Sequence, residues 1–275
     1  MAELNRPEGK LHYSVHGNGT GVLLLHPVGL DGTWWSPFAE RLARTHRVVQ
    51  IDFRGHGRSA PVGSSYEIVD LAADAAAVLA DSGLASVHVV GLSYGGMVAQ
   101  HLALDWPQLV RSLVLCGTAA TLSAAARATV ADRGATAERL GMASVIEETL
   151  SRWFTPEFRN SELVARCAAR LLNQDVGSWA AAWQAISRLD TLPRLGTVRV
   201  PTMVLTGEKD VAAPPEVARG IAEAVPGARL VLLPDAPHMA PFEQREPFES
   251  IVMEFLEKAD LAKESTMRPL GMSSI

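Results

Sequence analysis

The chain has 275 residues, of which 48% are hydrophobic and 20% charged, with a formal net charge of −5. That length suits one large domain with an insertion, or two modest domains, and the apolar share is enough for a sizeable core. The negative balance argues against nucleic acid or an acidic membrane as the main partner and leaves a small-molecule substrate as the expected one.

The first residues, Met1 to Pro7, lack an apolar signal core, and no apolar stretch is long enough to span a bilayer. The cysteines, Cys116 and Cys167, fall in no CxxC or metal-ligand spacing, so no disulfide scaffold is expected. Together these point to a cytoplasmic protein without a membrane partner; the oligomeric state is left open. His12 and His16 are four apart, but their stretch reads as strand, where that spacing makes no helical ligand pair, and no metal site is expected there.

Short apolar runs then recur along the chain: Val22–Leu25, Val48–Ile51, Val87–Val90, Leu113–Leu115, Met203–Leu205 and Leu230–Leu233. They are continuous rather than alternating, as expected of strands buried on both faces of a parallel sheet. Between them lie helical patterns. The clearest places Ile68, Leu71, Ala75, Val78 and Leu79 on one face, with Ser64 and Glu67 at capping-box spacing in front and Gly83 where a C-terminal cap belongs. Strand–helix alternation of this kind predicts a mostly parallel, doubly wound α/β sheet.

The pattern changes between Ala119 and Leu192. This stretch is rich in alanine and arginine, has helical spacing, contains Trp153, Phe154, Trp179 and Trp183, and offers no convincing strand. It is expected to be a helical cap at 119–192, inserted between core segments 1–118 and 193–260, with a polar tail at 261–275.

The most informative stretch is Val87-His88-Val89-Val90-Gly91-Leu92-Ser93-Tyr94-Gly95, where a buried strand runs into G-x-S-x-G and a helix pattern follows at Met97 and Val98. A serine on such a tight strand–helix turn needs small residues two positions before and after it, and the turn exposes its hydroxyl. Ser93 is therefore the candidate nucleophile. A serine hydroxyl needs a base to take its proton, and at such an elbow the acid and then the base come from later in the chain. Of the eight histidines only His238 follows the last expected strand. The preceding strand ends in Gly207-Glu208-Lys209-Asp210, making Asp210 the candidate acid. Asp235 is expected to shape the histidine loop and Glu208 to face solvent.

Acyl transfer also needs two donors for the carbonyl oxygen as it becomes an anion. One expected donor is the backbone N–H of Tyr94, next to the nucleophile. The other comes from the turn at His26-Pro27-Val28-Gly29; Pro27 has no N–H, so Val28 is the candidate. His26 is then expected to brace the loop.

These residues together resemble the α/β-hydrolase superfamily over the chain to about Ala259, with Asp52-Phe53-Arg54-Gly55-His56-Gly57-Arg58-Ser59 similar to one of its recurrent turns. A narrower resemblance is to 3-oxoadipate enol-lactonases, in Leu113-Val114-Leu115-Cys116-Gly117-Thr118-Ala119-Ala120, in Arg152-Trp153-Phe154-Thr155-Pro156 and, loosely, in Gly29-Leu30-Asp31. His26-Pro27, where those lactonases usually carry small polar residues, departs from the pattern, as do the bulky Trp179 and Trp183. The resemblance implies a serine hydrolase that cleaves a small ester or lactone through a Ser93–His238–Asp210 triad, without metal or organic cofactor. It also implies a carboxylate-bearing substrate, for which Arg133 and Arg152 are the first candidates among eight cap arginines. Trp153 and Trp183 are the candidate aromatic walls of the pocket. Amide, enamide and carbon–carbon bond hydrolysis use the same triad and remain alternatives, with perhydrolase or haloperoxidase activity and a non-enzymatic ligand sensor behind them.

Overall fold

Each of the continuous apolar runs is a strand of one sheet. The computed structural model describes residues 2–63 and 65–267, with side chains described as far as residue 262. The strands are β1 (Ala2–Arg6), β2 (Gly9–His16), β3 (Thr20–Leu25), β4 (His46–Ile51), β5 (Val87–Leu92), β6 (Val110–Cys116), β7 (Thr202–Gly207) and β8 (Arg229–Leu233). Their order across the sheet is β1-β2-β4-β3-β5-β6-β7-β8. The pairs from β4 to β8 are parallel, while β1–β2 and β2–β4 are antiparallel. Val22, Leu23, Leu24 and Leu25 are fully buried, as strands covered on both faces must be. The edge strand β1 was not expected. Its residues alternate between half-buried and exposed, so it carries no continuous apolar run.

The helices of the core are α1 (Ser36–Leu42), α2 (Ile68–Asp81) and α3 (Tyr94–Asp105). α2 covers the predicted face. The expected cap at Ser64 falls on a residue outside the described ones, and the cap sits one turn later. Glu67 is the N-cap, and its amide donates to the Asp70 carboxylate at 2.8 Å. At the other end Gly83 lies just past the C-cap Ser82, with φ +69°, and the Leu84 amide bonds back to the Leu79 carbonyl.

Between β6 and β7 the chain forms α4 (Ala124–Leu140), α5 (Ala143–Trp153), α6 (Glu162–Leu172) and α7 (Val176–Ser187). The two ends of this insertion are tied together by a bridge between Thr121 and Asp190. Arg127 reinforces the join by donating to the carbonyls of Leu122, Ser187 and Leu189. The alanine richness has a packing reason: a Cβ at Gly134 of α4 would lie 2.9 Å from the Ala180 backbone of α7. The helices approach that closely only with small residues between them.

After β7 come α8 (Pro215–Ala224), α9 (Ala240–Glu243) and α10 (Arg245–Met267). The polar segment expected as a tail from residue 261 thus begins as helix, and residues 268–275 lie outside the described ones. Among the described residues no helix is long and apolar enough to cross a membrane. β3 sits between β4 and β5, so the chain leaves it first to one side and then to the other. The C-terminal ends of β3 and β5 therefore flank a topological switch point, where open α/β sheets bind ligands.

Candidate active site

Ser93 sits at the end of β5 with φ 54° and ψ −111°, outside the regions that L-residues prefer. Such a conformation costs about 1–3 kcal/mol and persists only where the surroundings over-determine it. Here they do. The Ser93 amide donates to the Cys116 carbonyl at 2.8 Å, and its own carbonyl accepts from Thr118 Oγ1 at 2.7 Å and from the Gly96 amide at 2.9 Å. The glycines answer to close approach. A Cβ at Gly91 would stand 2.3 Å from the Gly95 carbonyl oxygen, and one at Gly95 would stand 2.2 Å from the Leu25 carbonyl oxygen. No larger residue fits either position, which accounts for G-x-S-x-G at this turn.

Asp210 and His238 meet across the ends of β7 and β8, both 3% exposed. His238 Nδ1 lies 2.8 Å from Asp210 Oδ2. The carboxylate can only accept, so Nδ1 carries the proton and Nε2 keeps its lone pair. The other carboxylate oxygen accepts from the amides of Ala212 and Ala213, each at 2.8 Å, and Thr206 Oγ1 donates to Oδ2 at 3.1 Å. Burial by itself would raise the Asp210 carboxyl, but His238 and the two amides outweigh it and hold the group below the ordinary range. Asp210 is thus an anion made to orient an imidazole.

The competing acids stand apart. Glu208 is exposed. Asp235, also exposed, has φ 56° and pairs with Lys209 at 2.8 Å, in the turn that carries the chain to His238. That loop crosses so tightly over β7 that a Cβ at Gly207 would meet the Ala236 carbonyl oxygen at 2.0 Å. The Met239 amide then donates to the Trp153 carbonyl at 3.0 Å, fastening the histidine loop to the end of α5.

His26 braces its loop. Its Nε2 accepts from the Phe53 amide at 3.0 Å, so its Nδ1 donates to the Pro27 carbonyl at 2.8 Å. Burial first, and the neighbouring His56 second, push its pKa down to about 3, and the ring stays neutral. The turn it braces brings Val28 to the cavity wall beside Ser93. The Tyr94 amide is the first N–H of α3 and has no partner in its own helix. Among the described residues, neither amide donates to a backbone carbonyl. The Tyr94 side chain is buried away from the cavity, its hydroxyl 2.7 Å from that of Tyr66.

Ser93, His238 and Val28 floor a cavity of about 180 Å³ roofed by the helical insertion. Arg133, Arg152, Trp153 and Trp183 all line it, whereas Trp179 and Phe154 do not. Trp179 instead packs edge-on against Trp183 at 5.5 Å, and Phe154 stacks on Phe158 at 5.9 Å. Most of the other arginines are engaged elsewhere. Arg170 pairs with Asp31 at 2.8 Å, Arg188 with Glu67 at 2.6 Å, and Arg166 lies over Trp34.

The Arg133 guanidinium sits 4.9 Å from the centre of the Trp183 ring, and its Nε is buried without a hydrogen-bond partner, as is Trp183 Nε1. Glu148 Oε1 is 3.9 Å from that Nε, too long for a hydrogen bond. Burial lowers the Arg133 pKa, nearby Arg152 adds to the shift and Glu148 opposes it, but an arginine remains charged.

Besides the expected Arg133 and Arg152, several lining residues escaped the sequence reading. Val145, Glu148 and Thr149 share a face of α5 with Arg152, and Thr129, Asp132 and Thr136 share a face of α4 with Arg133. Both sets have i, i+3, i+4, i+7 spacing. That periodicity of polar residues was a usable signal, overlooked because helical faces are usually searched for apolar residues. Thr118, which holds the elbow, carries no local signal, since its role depends on β6 lying beside β5.

A family model for the alpha/beta hydrolase fold matches residues 15–244. The 3-oxoadipate enol-lactonase 2 of Acinetobacter baylyi is 25% identical over 246 residues, 88% of this chain and 91% of that protein. Among solved structures, the enol-lactonase from Burkholderia xenovorans LB400 superposes with a TM-score of 0.87 at 30% identity, covering 93% of this chain and all of that one (100%). A thermophilic esterase from Thermogutta terrifontis, solved with malate bound, gives 0.86 at 31% identity, covering 91% and 94%.

Proposed function

The chain belongs to the alpha/beta hydrolase fold family, and from that premise we propose that it hydrolyses a small, anionic ester or lactone through an acyl-enzyme on Ser93. The observation that carries the chemistry is the buried Asp210–His238 pair, with Nδ1 committed to the carboxylate, opening on the same cavity as the strained Ser93. In the first half-reaction His238 Nε2 takes the Ser93 proton as Oγ bonds to the substrate carbonyl carbon. The oxygen that becomes negative lies toward the amides of Val28 and Tyr94. His238 then returns the proton to the leaving alkoxide or enolate as the ester bond breaks. Water, deprotonated by His238, attacks the acyl-enzyme, and Ser93 leaves with the proton restored. The chain's own side chains provide every proton transfer in this scheme.

The roof supports an anionic substrate. Arg133 Nε and Trp183 Nε1 are buried donors without partners, on adjacent side chains that line the cavity, with Arg152 beside them. The Arg133 and Arg152 guanidiniums are the cations of this wall that a substrate carboxylate would pair with, Asp132 and Glu148 on the same wall opposing it. Trp153 and Trp183 supply apolar walls for the acyl portion. The malate in the related esterase and the lactonase relatives support the same class.

The test is a panel of aryl esters, lactones and enamides, each as a free acid and as a methyl ester at a remote carboxylate. Free acids are expected to be better by about 10- to 100-fold in kcat/KM, the worth of a charge-assisted bond. Arg133→Met should abolish that preference while leaving the neutral esters near their original rates. If neutral esters are the better substrates of the wild type, the anionic class is wrong; if enamides alone are cleaved, the bond type is.

A further inference from the structure

We propose that His46, His88 and Asp260 form a three-ligand site for a divalent transition-metal ion of the zinc type, at the end of the sheet opposite Ser93. His46 opens β4, His88 is the second residue of β5, and Asp260 lies on α10. One ligand atom from each lies within 4.8 Å of the others. His88 and Ser93 are five residues apart along β5 and its turn, roughly 17 Å at the rise of a strand, so the site is separate from the cavity.

The hydroxyls behind the two imidazoles distinguish this cluster from a chance meeting of polar side chains. Thr45 Oγ1 lies 2.8 Å from His46 Nδ1, and Ser112 Oγ lies 2.7 Å from His88 Nδ1. With both Nδ1 atoms held by hydroxyls, both Nε2 atoms turn to one carboxylate: His88 at 3.0 Å from Oδ1, His46 at 3.9 Å from Oδ2. Metal-bound imidazoles are oriented in this way, through the nitrogen the metal does not use. A tetrahedral ion with bonds of about 2.0–2.1 Å holds its ligand atoms about 3.4 Å apart, between the two distances seen here. Burial, first among the causes, pushes the His88 pKa down to about 4, so the ring is neutral; Nε2 carries its proton toward Asp260, and on binding the ion replaces that proton while Nδ1 becomes protonated and donates to Ser112 Oγ. The Asp260 side chain is 22% exposed and the His46 side chain 9%, giving the ion an entry path and a place for a water as fourth ligand.

Arg111 sets the affinity. Its Nε donates to Asp260 Oδ1 at 2.5 Å and leaves Oδ2, on the His46 side, for the ion. A cation so close opposes a second one, so the site is exchangeable rather than permanently filled. Binding would join the N-terminal ends of β4 and β5 to the last helix, a stabilising role rather than a catalytic one.

The experiment titrates Co²⁺ and Zn²⁺ into the chelator-treated full chain, by calorimetry and by the visible absorption of four-coordinate cobalt. One equivalent should bind, with the intense visible bands of a four-coordinate site and a raised Tm. Asp260→Asn and, independently, His46→Ala should each weaken binding at least about tenfold and cancel the Tm rise. Arg111→Gln should tighten it. His238→Ala and His101→Ala, the latter removing an exposed histidine–aspartate pair on α3, should leave the equivalent in place. Absence of saturable binding at millimolar metal overturns the proposal. So does an equivalent that survives both Asp260→Asn and His46→Ala, or one that His238→Ala removes.

Discussion

At the C-terminal end of the sheet, Asp210 bonds His238 at 2.8 Å and His238 shares a cavity with Ser93. At the N-terminal end, Asp260 bonds His88 at 3.0 Å, and His88 meets Ser112 at 2.7 Å. Both ends therefore gather a serine, a histidine and an aspartate. Their surroundings differ. Ser93 stands on a strained turn at a helix N-terminus, part-exposed to a cavity, whereas Ser112 is fully buried in the middle of a parallel pair of strands. The orientation of the imidazole differs as well. His238 donates from Nδ1 to its aspartate and keeps Nε2 for the cavity; His88 donates from Nε2 to its aspartate and accepts at Nδ1 from the serine hydroxyl. A serine, a histidine and an aspartate brought together are thus not by themselves a nucleophile's triad. A nucleophile also needs exposure, donors for the developing charge and room for a substrate.

The sharpest way to break the comparison is to remove each serine. Ser93→Ala should lower kcat by about 10⁴-fold or more without unfolding the chain. A fluorophosphonate adduct located by mass spectrometry should sit on Ser93 alone. Ser112→Ala should leave turnover and labelling unchanged. Residual full activity in Ser93→Ala, or an adduct on Ser112, would reverse the reading of the two ends. Next in size is the acid. Asp210→Asn keeps the volume but loses the charge that fixes the tautomer, and should cost about 10³- to 10⁴-fold in kcat with little change in Tm. If Asp235→Asn proves the inactive variant instead, the acid has been misassigned.

The two ends also differ in how far they can be read before folding. Ser93 announces itself because the turn forbids anything larger than glycine at two positions within five residues, although the Leu25 carbonyl that excludes a side chain at Gly95 belongs to β3. Asp210 and His238 follow from strand order, since each lies just past a continuous apolar run. The buried constellation at the other end has no such signature. His88 and Ser112 are neighbours because β5 and β6 pair in the register His88–Ser112, and Asp260 arrives from a helix 172 residues away from His88 in sequence. Register and helix docking are tertiary facts, and the chain does not spell them out locally. The roof falls between these cases. Its helices were readable from spacing and its aromatic cluster from composition, but which arginines point inward depended on α4 and α5 presenting their polar faces to the cavity.

A smaller effect separates the roof from the floor. Trp183→Ala removes a cavity wall and the platform beneath Arg133, and should shift the kcat/KM ratio between large and small acyl substrates by about tenfold. The burst of Ser93 acylation on the favoured substrate should persist. A uniform fall across all substrates would mean that the tryptophan serves only packing, as Trp179 does, and the division of labour between floor and roof would lose its support.

The last prediction concerns protons held off the buried histidines. Burial, the first cause in each case, pushes His26 to about 3, and His56 and His88 to about 4, against 6.5 for an unperturbed imidazole. In the unfolded chain all three take up protons as the pH falls through 6.5, while the folded chain resists until about 4 or below. Over that window the unfolded state binds more protons, so stability falls with falling pH. Each histidine contributes up to about 1.4 kcal/mol per pH unit, and three together give roughly 4 near pH 5. The loss levels off once the folded rings themselves protonate. Urea unfolding between pH 7 and pH 4.5, with chelator present, should follow this slope. His88→Gln keeps a polar group between Ser112 and Asp260 but cannot titrate, and should reduce the slope by about one third, whatever it does to the absolute stability at pH 7. An unchanged slope would mean that His88 is already charged in the folded chain, paired as an ion with Asp260, and its kinship with a neutral metal ligand would fail with it.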